Sequence, residues 1–198
     1  MLMRGVRAGL GVLVGLALLG PVLMGCTDSA AEPDDGASSP RVSAETSASP
    51  SPSAPAKPER PEAMNRDDAE GAAAAAEYFI ELYPYVMATG DTEEFEAMSH
   101  RACGFCSQAL EDVSRAQAQD RAYEGGEIAM TLVEQYERDE VTGIYPLDVE
   151  VTQQASRTTA ADGSVVSSAE ESVSEHRVEM GRRNGRWVVV AIAPRAES

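Results

Sequence analysis

The sharpest chemical feature of the chain is Cys103-Gly104-Phe105-Cys106, preceded by His100 and Arg101. Two thiols three positions apart support three chemistries. In an oxidising compartment they pair, and residues i and i+3 of a helical turn lie close enough for a disulfide with modest distortion. A loop this short restrains little, about 2 kcal/mol by loop entropy, so such a bridge is a local staple. Thiol–disulfide exchange is the second chemistry, because a helix N-terminus beside Arg101 would stabilise a Cys103 thiolate. It lacks its usual frame: no strand–CxxC–helix unit is readable, and the single tryptophan, Trp187, lies far from the box. Metal binding is the third. His100, Cys103 and Cys106 recur at intervals of three, and His176, the other histidine, would complete a set that suits Zn²⁺ or Cu⁺. No second CxxC supports it. The chain contains no HExxH, P-loop, GxGxxG or GxSxG pattern. Glu93, Glu94, Glu96, Glu170 and Glu171 read as solvated faces, and no acid–base pair stands out among 33 acids. No catalytic residue, metal ligand or cofactor is therefore assigned.

Elements that would carry the box follow from periodicity. Asp67 and Asp68 open a helix. Ala72, Ala75, Ala76, Phe79, Leu82, Tyr83 and Val86 form its apolar face, and Thr89-Gly90 end it. Pro84 predicts a kink or break. Asp91, with Glu94 as a capping-box partner, starts a short helix to about Met98. A third helix is predicted from about Cys103 to Tyr123, stopped by Gly125-Gly126, with Cys106, Ala109, Leu110, Val113 and Ala116 on one face. Strands follow. Ile128, Met130 and Leu132 alternate, as do Tyr145, Leu147, Val149 and Val151, with Pro146 pointing that strand toward an edge or bulge. Ala161–Ser164 is a turn, and a third strand covers about Ser172–Met180, with His176, Val178 and Met180 on one face. Asn184-Gly185 predicts a tight hairpin into Arg186–Ile192, a strand apolar on both faces and so expected to be central, with Trp187 buried. Helices before strands predict an α+β fold, helices packed on one face of an antiparallel sheet of about four strands.

The first 64 residues belong to a different regime. Arg4 and Arg7 precede residues 8–25, which carry no charge, and the run ends Leu23-Met24-Gly25-Cys26. A basic start and an apolar run read as a secretory signal. Pro21 and five glycines weaken it as a permanent membrane span. The boundary resembles the bacterial lipobox, with Met24 where a small residue is commoner. That resemblance implies removal of residues 1–25 and a diacylglyceryl thioether on Cys26, and two acyl chains hold a protein stably at a membrane. With Cys26 so used, the other two of the three cysteines are left to pair with each other. Residues 27–64 hold eight Ser, eight Ala and seven Pro, and no Tyr, Phe, Trp, Ile or Leu. Such a stretch cannot offset the entropy of ordering, so 26–64 is expected to be a disordered tether, open to O-glycosylation. All ten aromatics lie at or after Tyr78, and the globular domain is expected over 65–198.

A net charge of −17 speaks against a nucleic-acid partner and against recruitment by anionic headgroups. The helix–strand layout, the alanine-rich first helix and the closing Asn-Gly-Arg-Trp-Val-Val hairpin are similar to the nuclear-transport-factor-2-like (or cystatin-like) cone, in which a curved sheet wraps the helices. More narrowly, Tyr78-Phe79, Thr89-Gly90-Asp91, the CGFC box and the Trp187 strand resemble a group of uncharacterised actinobacterial lipoproteins over about 65–198, plus the lipobox. The single lysine against fifteen arginines fits a GC-rich source of that kind. The resemblance implies a lipid-anchored, extracytoplasmic domain and no known activity. The expected role is a non-catalytic module that binds an envelope protein, a glycan or a small apolar ligand, the cone's cavity being the natural ligand site. The alternative is an exported thiol–disulfide oxidoreductase or metal-binding protein that uses the box.

Overall fold

In the computed structural model, residues 55–195 are described. The lipobox, Cys26 and most of the expected tether lie outside them. Residues 55–64, assigned to the tether above, instead pack on the domain. Lys57 Nζ reaches Glu94 at 3.0 Å, and Arg60 Nη1 reaches the same carboxylate at 3.2 Å. A 3-10 turn over Glu62–Asn65 then buries Met64.

Three helices follow: α1 (Ala69–Thr89), α2 (Glu93–Met98) and α3 (Gly104–Ala118). Asp68 caps α1 by accepting from the Gly71 amide at 3.0 Å, and Gly90 closes it in the left-handed conformation. Helix α1 runs unbroken through Pro84. Leu82, Pro84 and Val86 are all buried, so packing of this turn outweighs the one backbone hydrogen bond that proline removes. The expected capping box on α2 does not form. Thr92 occupies the cap, and Glu94 turns to Lys57 and Arg60. Helix α3 is shorter than predicted. Asp120, at φ 48°, ends the turn, and Ala122–Gly125 form a strand instead of continuing the helix.

Among the described residues seven strands follow: β1 (Ala122–Gly125), β2 (Ile128–Gln135), β3 (Tyr145–Gln153), β4 (Ser156–Thr159), β5 (Val165–Ala169), β6 (Ser172–Arg183) and β7 (Arg186–Pro194). They form an antiparallel four-stranded sheet, β2-β3-β6-β7, and a three-stranded one, β1-β4-β5. No sequence pattern announces the second sheet. It continues the first: β1, β4 and β5 extend β2, β3 and β6 across breaks at Gly126-Glu127, Gln154-Ala155 and Glu170-Glu171. Two hydrogen bonds join neighbouring chain segments within that line, Gly126 N to Ala155 O at 3.0 Å and Gln154 N to Glu127 O at 2.9 Å. Strand β3 is internal, so of the edge or bulge expected from Pro146 the edge is not found; a register shift falls on the facing strand β2, between Leu132 and Glu134. The Pro146 carbonyl accepts from Tyr136 beyond the last β2 register pair, Gln135 with Leu147. The missing N–H faces that same side, so no ladder bond inside the β2–β3 register is lost.

Strand β7 is an edge of its sheet, not a central strand. Its apolar character has another cause: the chain after α2 covers the edge. Ser99 bridges Val189 in parallel, and the His100 amide donates to the Val189 carbonyl at 3.0 Å. At the start of β7, Asn184 and Gly185 form the hairpin, both with positive φ. Trp187 is 2% exposed, and its indole N–H donates to the Met64 carbonyl at 3.0 Å and the Arg66 carbonyl at 3.2 Å. Core residues Phe79, Leu82, Phe95, Leu147, Val149, Val178, Met180 and Val189 fill the space between helices and sheet, with Phe79 and Phe95 stacked at 4.2 Å.

Candidate binding site

The CGFC box sits where the covered edge of β7 turns into α3. The Cys103 amide donates to the His100 carbonyl at 2.9 Å, and Cys103 Sγ caps α3 by accepting from the Cys106 amide at 3.1 Å. The two cysteines stand at disulfide distance, Cα to Cα 5.2 Å, and each is 1% exposed. Sulfur buried this deeply is out of reach of an incoming thiolate, which exchange requires. The histidines do not join them. His100 Nδ1 accepts from the Ala102 amide at 3.2 Å, while His176 lies on β6, bonded to Ser174. Among the described residues no group of three or more His, Cys, Asp or Glu is placed to hold a metal ion.

Between the two cysteines, Phe105 is turned outward, 39% exposed, its ring 5.8 Å from that of Tyr83. These two rings form one wall of a cavity of about 330 Å³. Ile80 of α1 adds to that wall, and the opposite wall comes from the sheet: Ile128 of β2, Val151 and Gln153 of β3, Ser174 and His176 of β6, and Ile192 and Pro194 of β7. The cavity therefore opens where the four-stranded sheet meets the break line. Its surface is apolar except for Gln153 and the Ser174–His176 pair, whose Oγ and Nε2 are 2.9 Å apart. Burial pushes the His176 imidazole below its ordinary value, so it is neutral at pH 7. A serine beside a histidine suggests acyl transfer, but no carboxylate bonds the imidazole among the described residues, so the orienting third group is missing. The arrangement suits holding an apolar body with one or two polar contacts. Sequence reasoning singled out the box and His176 but did not place Phe105, Val151 and Ile192 around one space. Their alternation marked inward-facing positions only.

On the outer face of the sheet, Asp148 is 1% exposed. Arg177, its register partner on β6, grips it with two bonds of 2.7 and 2.9 Å, and the Tyr136 hydroxyl donates at 2.8 Å. Arg195 Nε approaches at 3.4 Å. The Arg177 guanidinium, helped by Tyr136, holds the carboxyl below the usual carboxylate range against the opposing effect of burial. All four groups are engaged with one another, which makes this a clamp between strands β3 and β6.

No helix among the described residues is long and apolar enough to cross a membrane. No curated protein matches the chain. Solved structures that resemble it include the intermembrane space region of chloroplast protein ARC6, at TM-score 0.47 and 9% identity, covering 67% of this chain and 99% of that one. A periplasmic fragment of TraM gives 0.40 and 11%, over 64% and 96% of the two chains. Aln2 from a Streptomyces species gives 0.35 and 14%, over 59% and 84%. At these scores they decide neither fold nor function for this chain. Residues 44–193 match the model of a family of unknown function, DUF6318.

Proposed function

The chain belongs to the DUF6318 family, and we propose that it is a non-catalytic binding domain, displayed outside the cytoplasm on a lipid anchor at Cys26 and built to take a small apolar ligand. The observation that carries the binding role is the cavity between α1, the CGFC turn and the sheet, with its apolar walls and neutral His176. In this reading the sheet, bent at its break line around the helices, is a nuclear-transport-factor-2-like cone. Cys103–Cys106 is a structural disulfide that aims Phe105 into the cavity mouth. The N-terminal leader and its boundary cysteine supply the address, as in actinobacterial lipoproteins, and residues 27–54 supply reach.

The experiment is a titration of the full chain with N-phenyl-1-naphthylamine, an uncharged apolar fluorophore, read on the methyl NMR signals of Ile128, Val151 and Ile192. Saturable shifts of these methyls are expected, and Phe105→Glu, a change at a part-exposed position, weakens them about tenfold or more with the circular dichroism unchanged. Absence of saturable shifts, or a Phe105→Glu variant that binds as the parent does, overturns the reading.

A further inference from the structure

A second cavity, of about 380 Å³, lies across the break line, between α1 and α3 on one side and the sheet β1-β4-β5 on the other. Tyr83 lines both cavities, so the two meet at its ring. Their chemistry is opposite. Where the first is apolar, the second is lined by Arg115, Arg121 and Arg157, with hydroxyls from the serines of β4 and β5, and Asp112 as its sole acid. Three guanidiniums around one space are unexpected in a chain of net charge −17. Two of them are paired, Arg115 with Asp112 at 2.5 Å and Arg157 with Glu124, also at 2.5 Å. Arg121 makes no ion pair among the described residues, although it stands on the cavity wall. The Tyr123 hydroxyl, from the same wall, is buried with no hydrogen-bond partner. A buried phenol left without a partner is costly, and a ligand oxygen brought to this wall would offset that cost.

We infer that the two cavities together form one site for an anionic amphiphile, its apolar chain in the Phe105–Val151–Ile192 chamber and its oxyanion head against Arg121, Arg157 and Tyr123 beyond Tyr83. Guanidinium groups bind phosphate and carboxylate oxygens with paired, charge-assisted bonds, and a half-enclosed space strengthens them. The surrounding serines suit a head that also carries hydroxyls. This inference rests on the apolar-ligand reading above and adds the headgroup.

The test uses the full chain and three probes: decyl phosphate, decanol and inorganic phosphate. Binding is read on the methyl signals of Val151 and Ile192 and on the guanidinium signals of Arg121 and Arg157. Decyl phosphate is expected to bind about tenfold or more tightly than decanol, an advantage that shrinks as salt rises. Arg121→Gln, a surface-accessible change, brings decyl phosphate to the decanol level and leaves decanol unaffected. Replacing the phosphate by decanoate keeps most of the advantage if the site reads negative charge, and loses it if the site is specific for phosphate; both support an oxyanion head. Equal affinity for decyl phosphate and decanol, or an Arg121→Gln variant that weakens both alike, overturns the inference and spares the apolar pocket. Binding of inorganic phosphate with no shift from decanol overturns the apolar reading together with it.

Discussion

Replacing Trp187 by alanine removes the side chain on which the N-terminal segment and the last strand converge. An indole buried to this extent withdraws roughly 150–250 Å² from water, which at about 25 cal/mol/Å² is roughly 4–6 kcal/mol. Alanine retains a small part of that. The edge-on contact with Tyr145, ring centroids 5.6 Å apart, and the N–H bonds to the Met64 and Arg66 carbonyls are lost as well. Collapse of neighbouring groups recovers part of the loss, so the net cost is about 3–5 kcal/mol. A domain of this size has roughly 5–15 kcal/mol in total, so the variant stays folded at low temperature but melts well below the parent. Trp187 is also the only tryptophan, so the assay is urea denaturation followed by far-UV circular dichroism. Trp187→Phe separates the contributions: it keeps most of the apolar surface, leaves the Met64 carbonyl without its donor while Arg182 still bonds the Arg66 carbonyl, and costs about 1–2 kcal/mol. A Trp187→Ala loss below about 1 kcal/mol would refute the packing of residues 61–66 on β7, and would make Trp187 a surface residue available for contact.

Three further outcomes are expected. Cys26→Ser releases the protein from the detergent phase or leaves its leader uncleaved, and unchanged processing and partitioning would remove the lipid anchor from the account. Cys103→Ser/Cys106→Ser stays folded and loses about 2 kcal/mol, while the parent, purified under native redox conditions, shows no free thiol, carries no stoichiometric Zn or Cu, and resists mild reduction. A potential near about −120 to −200 mV would instead mark an exchange catalyst. The clamp at Asp148 makes stability depend on pH. Because its folded carboxyl is held below the unfolded value of about 3.9, its contribution is full above that pH and is lost as pH falls through the depressed value. Asp148→Asn flattens the fall of the urea midpoint with pH below about 4 relative to the parent, and an identical slope in both proteins would exclude Asp148 as its source.

Local rules carried the sequence reading a long way. Asp68, Gly90 and Asn184-Gly185 act at short range, and each stands where its own chemistry predicts. The alternations in β3 and β6 also survive, because one face of that sheet is buried; in β2 Ile128 and Met130 are half-buried on that face and Leu132 is exposed. The failures share a cause: the deciding partner is remote in sequence. Ser156–Thr159 and Ala122–Gly125 carry no apolar alternation, and they become strands by pairing with each other. Gly125-Gly126 stops no helix; it marks the break line between two sheets. Strand β7 is apolar on both faces although it lies at an edge, because Ser99 and His100 cover that edge. Asp148 was one acid among many until the register set it opposite Arg177, 29 residues away. The candidate site was legible only as a box and a histidine. Its second wall, its arginines and the orphan Tyr123 hydroxyl come from elements distant from the box in sequence or from the turns between them.

The packing of residues 55–66 has a mechanical consequence. Tension that arrives along the chain from its N-terminal side meets the Lys57 and Arg60 pairs with Glu94 first, and then the indole of Trp187 at the second residue of β7. Ile192 lies five residues farther along that strand, about 17 Å away. A pull strong enough to peel the leading segment would therefore spend itself at one end of β7, on contacts that can re-form, while the cavity at the other end keeps its shape.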